Sequence, residues 1–180
     1  MADNTTSLHK YAMQFGTYMG IYWVVKFVFF PLGLTNPFLL FLFLGLTLGV
    51  PFMGYYYAKM FRNKVCGGGI SFLQASMFLI FMYMFAALLT AVAHYIYFRF
   101  IDNGYIIDTY LGMLEVYMGV DMPGFEVYID QIKDTLEQVR SMSAIQITMQ
   151  LFTSNVLNCT ILALITALFV MKKKEPIQPK

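Results

Sequence analysis

GGGISFLQASMFLIFMYMFAALLTAVAHYIYFRFID, residues 67–102, is the stretch whose reading decides the fold. From Ile70 to Phe98 it holds no Lys, Arg, Asp or Glu, a run longer than the roughly 20 residues with which a helix crosses the hydrocarbon of a bilayer. Lys59, Arg62 and Lys64 precede it, whereas an acid-rich segment follows Asp102. It reads as a membrane span whose two ends differ in charge.

The rest of the chain agrees with that reading. Apolar residues make up 59% of the sequence and charged ones 12%, and the mean hydropathy is +0.63, far from the balance of a water-soluble domain. The apolar runs are long and continuous, not short and alternating, which excludes a transmembrane barrel and leaves helices. Of the two cysteines, Cys66 lies in the basic, glycine-rich connection and Cys159 inside an apolar run. With no CxxC or Cys/His spacing, both read as free thiols and no metal site is expected. The polar segment before Lys10 is short and no small-x-small cleavage site follows, so the first span is expected to stay as an uncleaved anchor.

The sequence therefore predicts an all-α integral membrane protein, one membrane domain over residues 1–180, with spans at about 11–31, 37–57, 71–98 and 145–171. Pro31 and Gly33 are expected to end the first span, and Pro51 to kink the second. Gly16-x-x-x-Gly20 and Gly45-x-x-x-Gly49 let helix backbones approach closely in lipid, and Ala86, Ala87, Thr90, Ala91 and His94 form a narrow small-residue face on span three. Helix packing is thus assigned to Gly16, Gly20, Gly45, Gly49, Ala87 and Ala91.

Between Arg99 and Met142 lies the one extended polar region, with eight of the chain's acids. Apolar residues at 106, 107, 110, 111, 114, 117 and 118, and again at 125, 128, 129, 132, 136 and 139, fall at helical spacing. Asp121 followed by Pro123 marks the start of the second helix. Residues 99–142 are therefore read as an amphipathic helical hairpin outside the membrane between spans three and four, whose second helix can run straight into span four. Lys10, the loop with Lys59, Arg62 and Lys64, and Lys172 to Lys174 share one side. The positive-inside rule makes that side cytoplasmic, places both termini there and leaves the hairpin periplasmic.

The strings Lys64-Val65-Cys66-Gly67-Gly68-Gly69-Ile70-Ser71-Phe72 and Tyr95-Ile96-Tyr97-Phe98-Arg99-Phe100-Ile101-Asp102, with the acidic insert and the lysine-ended last span, resemble an uncharacterised family of small bacterial four-span membrane proteins, the domain of unknown function numbered 4199. The resemblance covers essentially the whole chain. It implies a bacterial inner membrane, transfers no catalytic residue, and implies a partner of the class of lipid-carrier glycosyltransferases.

The candidate site comes from counting polar groups by depth. Lys26, His94, Asn155 and Asn158 all fall near the outer ends of their spans, and Arg99 closes span three. If those faces converge, they form an outward-opening polar cavity roofed by the hairpin, in which Lys26 and Arg99 select a small polar or anionic ligand. Gln150, Ser154 and Asn158, at i, i+4 and i+8, are expected to share one stripe of it. Two readings of Lys26 remain open at this stage: an intramembrane ligand group, or a side chain that snorkels along its own stem to the headgroups. His94 can equally be a packed histidine among aromatics. The triple glycine lacks the remainder of a phosphate loop and reads as a flexible cytoplasmic turn. Asp130 and Asp134, with Lys133 between them, read as a solvated helix face.

Nothing in the sequence identifies a nucleophile or an acid–base pair, no cofactor is expected, and the charge layout speaks against nucleic acid. Two functions remain: a non-catalytic scaffold or modulator of a larger membrane complex, with the bilayer and another membrane protein as partners and self-association open, or a small transporter or lipid-headgroup binder. The topology is testable: a membrane-impermeant thiol reagent applied from the periplasmic side is expected to modify a cysteine placed at Glu126 and miss one at Asn63.

Overall fold

A computed structural model describes residues 2–117 and 125–173, so that the expected helix start at Asp121 and Pro123, together with Met118 and Lys174, lies outside the described residues. Six helices follow one another: α1 (Ala2–Gly33), α2 (Pro37–Lys64), α3 (Phe72–Phe100), α4 (Tyr105–Tyr117), α5 (Phe125–Arg140) and α6 (Ala144–Val170). Four of them, α1 from Ser7 onward, α2, α3 and α6, are long and apolar enough to cross a membrane. The chain is a four-span bundle carrying an amphipathic hairpin, α4 and α5, between its third and fourth spans.

The helices are longer than the apolar runs alone suggest. α1 begins at Ala2, not near Tyr11, and continues through Pro31 to Gly33. A proline in a last turn forfeits a single backbone hydrogen bond, which the helix tolerates there. α2 runs to Lys64, so that Lys59, Arg62 and Lys64 belong to its final turns and not to a loop, where positive charge is favoured by the helix dipole. α5 does not run into α6: the chain breaks at Ser141–Ser143, and Ser143 and Gln146 form a reciprocal capping box that starts α6 afresh.

α3 is the spine. Half of its most apolar stretch is buried inside the bundle, against 11% for α2, and its main neighbours are α1 on one flank and α6 on the other. Lipid tails are as apolar as leucine, so close packing rather than water exclusion holds spans together. Gly16 permits that approach: a Cβ there would meet the carbonyl of Met82 and the side chain of Phe85. Gly20 likewise rests on Ala86 and Leu89, and Gly49 lies beneath the hydroxyl of Tyr22, which donates to the carbonyl of Leu46 at 2.6 Å. Gly45 differs, with nothing within 4 Å of where its Cβ would be. The Gly45-x-x-x-Gly49 pair is therefore not one internal packing face. Ala87 is fully buried and Ala91 half-buried.

The end of the bundle that carries Lys59, Arg62, Lys64, Lys172 and Lys173, here the basic end, is closed by backbone. The triple glycine forms a hydrogen-bonded turn. Gly67 and Gly68 adopt φ of 67° and 89°, which glycine reaches without strain, and the N–H of Gly68 returns to the carbonyl of Arg62 at 3.0 Å. Ile70 and Lys172 then exchange both backbone hydrogen bonds, at 2.9 and 3.1 Å, and the Arg62 guanidinium donates to the carbonyl of Val170 at 2.8 Å.

At the opposite end the hairpin starts from Asp102. This buried carboxylate accepts from the N–H groups of Gly104 and Ile106 at 3.1 and 3.2 Å, capping α4. Arg140 at the end of α5 pairs with Asp108 at the start of α4, 3.1 Å apart, and α4 and α5 pack mainly on each other. The Tyr105 hydroxyl, reaching the carbonyl of Pro31 at 3.4 Å, ties the hairpin to α1. The described parts of the hairpin thus lean mainly on each other and are tied to the spans at the start of α4.

Gly16→Ala is expected to destabilise the detergent-solubilised protein by about 1–3 kcal/mol, because the added methyl meets backbone. Gly45→Ala should leave it unchanged or raise its stability by up to about 1 kcal/mol through helix propensity. Thermal unfolding of the two variants side by side checks the contrast.

Candidate functional site: a polar seam inside the bundle

No Asp or Glu occurs between Asp3 and Asp102, nor between Glu137 and Glu175. The four spans therefore contain basic and neutral polar groups but no carboxylate below Asp3. Lys26 is the one lysine in the interior part of a span, and its position answers the question of orientation. Its ammonium lies 5.8 Å from the centroid of the Trp23 ring and 5.4 Å from that of Phe43 on α2. It also comes close enough to Cys159 of α6 and His94 of α3 to interact with them electrostatically. The side chain turns into the bundle and does not snorkel outward. Among the described residues its charge is held by aromatic faces, a contact worth about 0.5–2 kcal/mol, with no hydrogen bond or ion pair.

Around it the sequence-predicted residues separate. His94 is buried and packs edge-on against Phe27 at 4.3 Å. Asn155 is half-buried on the inward face of α6 that also carries Thr148 and Cys159. Asn158, Gln150 and Ser154 are exposed, so the expected i, i+4, i+8 stripe looks out of the bundle and is not a wall of the site. The reason is register: Asn158 precedes the buried Cys159 by one residue, a rotation of about 100° on a helix. Arg99 is exposed as well, its guanidinium 6.0 Å from the ring of Phe100. Lys26, His94 and Asn155 thus share the interior, while Arg99 and Asn158 do not.

Other groups join them that the depth count passed over. Trp23 stacks on Tyr83 with ring centroids 6.1 Å apart. A methyl at Gly54 of α2 would overlap the Tyr83 hydroxyl, so Gly54 is what lets that phenol reach across the core. The polar atoms of Trp23, Ser76, Tyr83, His94 and Thr148 are all buried without a hydrogen-bond partner among the described residues, in side chains 5%, 3%, 1%, 6% and 3% exposed. Leaving such a group unsatisfied costs about 1–3 kcal/mol. A signal for part of this set was present in the sequence: Ser76, Tyr83, Thr90 and His94 stand seven, seven and four residues apart, which stacks them on one face of α3. Thr90 alone of the four is satisfied, donating to the carbonyl of Ala86 at 2.8 Å.

Two clefts open elsewhere, at the basic end. One, of about 760 Å³, is bordered by Ser71, Gln74, Lys172 and Lys173. The other, of about 240 Å³, lies between Ser7, Cys66 and Gln74. The amide of Gln74 faces the Cys66 sulfur at 3.7 Å.

Chemically, the interior offers one cation, several donors and no carboxylate. A four-helix bundle of this kind defines a multi-pass membrane protein with a polar interior. The chain belongs to the family described as Protein of unknown function (DUF4199), whose model matches residues 14–172. No curated protein and no solved structure matches it.

Proposed function

We propose that the protein is a non-catalytic bacterial inner-membrane protein that holds an anionic headgroup, with Lys26 as the charge that selects it. The observation that carries this reading is the inward-turned Lys26 in spans that contain no carboxylate to pair with it. A lysine in the membrane interior is costly unless solvated or paired, and an anionic ligand supplies the missing partner. His94 and Asn155 are its neutral neighbours. The basic end faces the cytoplasm by the positive-inside rule, with both termini on that side and the α4–α5 hairpin outside.

Exposed features of α2 favour a second reading, in which the protein is a scaffold or modulator of a larger membrane complex. Phe38, Phe41, Leu48 and Phe52 form an exposed stripe along that helix, and Gly45 sits within it over open space. A glycine lowers helix propensity and gives no internal packing there, so its use is close approach by a helix of another membrane protein, of which a lipid-carrier glycosyltransferase is one class. Extraction in mild detergent at native expression, followed by mass spectrometry, is expected to recover such a partner with the wild type and to lose it with Gly45→Leu. Recovery of the chain only with itself would count against the scaffold.

For the headgroup reading, Lys26→Met is the decisive variant. Removing an unpaired cation from the interior is expected to stabilise the purified protein by about 1–3 kcal/mol, while abolishing the thermal shift that anionic phospholipid produces in the wild type. An unchanged shift in Lys26→Met would overturn the assignment.

A further inference from the structure

Three of the unpartnered polar groups, Ser76, Tyr83 and His94, share one face of α3. Ser76 lies in the second turn of α3 near the basic end, and His94 lies two turns from its other end. Tyr83 falls between them on the same face, joined there by Trp23 of α1 through ring stacking, and Thr148 occupies the buried face of α6 near the hairpin end. α3 is the most buried of the spans, so this face serves neither lipid nor water at the rim. A single unsatisfied hydroxyl in a packed core is a local imperfection. Five unpartnered groups distributed over the length of the bundle mark a route along which a hydrogen-bonding species is received at successive positions.

The charges that face the seam itself are lysines, while Asp102, beyond its far end, is committed to capping α4. Lys172 and Lys173 border the larger cleft at the basic end, beside the first turns of α3, and the Lys26 ammonium stands 5.8 Å from the ring of Trp23, which stacks on Tyr83. No carboxylate interrupts the spans between. Positive charge at both stations with hydroxyl, indole and imidazole groups between them suits an acceptor-rich anion and repels a cation.

We propose that this seam is a passage for a phosphate-bearing anion, which moves between the lysines of the basic end and Lys26 by way of Ser76, Tyr83 and His94. The proposal rests on the headgroup-binding reading and extends it from holding to transfer across the membrane. A phospholipid headgroup and free inorganic phosphate share this chemistry, and the experiment separates them.

The full-length protein is reconstituted into phosphatidylcholine vesicles that contain a minority of phosphatidylglycerol, which makes the surface anionic. One arm measures transbilayer movement of headgroup-labelled phosphatidylglycerol from its accessibility to dithionite, and the other measures uptake of radiolabelled orthophosphate. Wild type is expected to raise one of these rates several-fold over protein-free vesicles, and the arm that responds names the source. Lys26→Met should abolish the increase. Tyr83→Phe and Ser76→Ala should each lower it about tenfold, the effect of losing one strong hydrogen bond in transit, while keeping the anion-induced thermal shift. Because neither hydroxyl has a hydrogen-bond partner among the described residues, both variants should fold at least as stably as wild type, and thermal unfolding of each checks that a fall in rate does not reflect unfolding. Anion binding without transfer in either arm would overturn the passage and leave the binding reading standing; wild-type rates in Tyr83→Phe and Ser76→Ala would overturn the passage as well. The absence of any thermal shift with either anion would overturn both.

Discussion

The bundle depends on how closely α1 can lie on α3. In hydrocarbon there is no hydrophobic pressure to push helices together, so the contact must arise from shape. Gly16 over the carbonyl of Met82 and Gly20 over Ala86 supply that shape. The close approach carries the aromatic ladder with it: Phe15 meets Phe78 edge-on at 6.1 Å, Trp23 stacks on Tyr83, and Phe27 meets His94. Phe61 of α2 then lies parallel to Phe78 at 4.3 Å, drawing the second helix against the same spine. Once α1 and α3 are this close, Lys26 is committed to the space shared by α2, α3 and α6.

Interior polarity and exterior polarity are handled by opposite means. The hairpin region concentrates acids and satisfies two of them locally, through the Asp102 cap and the Arg140–Asp108 pair. The spans contain no carboxylate between Asp3 and Asp102 and leave five buried polar groups unpaired among the described residues. The exterior arrangement stabilises a fold at the membrane surface, where water can complete any missing hydrogen bond. The interior arrangement has no such recourse, and its groups gain a partner only when something enters. That difference gives the seam its functional reading.

Four spans, their order and the helical hairpin were legible in the sequence, because apolar run length and charge placement are direct consequences of bilayer thickness. Helix ends were less so. Pro31 reads as a terminator, yet in a last turn it removes only one bond, and the basic residues after Tyr57 read as a loop although a helix C-terminus welcomes them. The candidate site was legible in part, since depth along a helix can be counted but rotation about its axis must be inferred from small differences. A single residue separates the exposed Asn158 from the buried Cys159. Tyr83 was hidden for another reason: an aromatic in an aromatic-rich span carries no polar signal until the glycine opposite it, Gly54, is known to face its hydroxyl.

The clasp at the basic end bears on how the protein is made. The guanidinium of Arg62 and the carbonyl of Val170 are 108 residues apart in sequence, and the Ile70–Lys172 pair spans a similar separation. During synthesis the α2–α3 junction must wait, with its glycine turn already possible but its outer hydrogen bonds unmade, until the last helix has been threaded through the bilayer. Insertion of α6 is therefore a closing step: the backbone of its final residues completes a structure begun by helices placed much earlier, and quality control that senses an open junction would also be sensing whether the fourth span is in place.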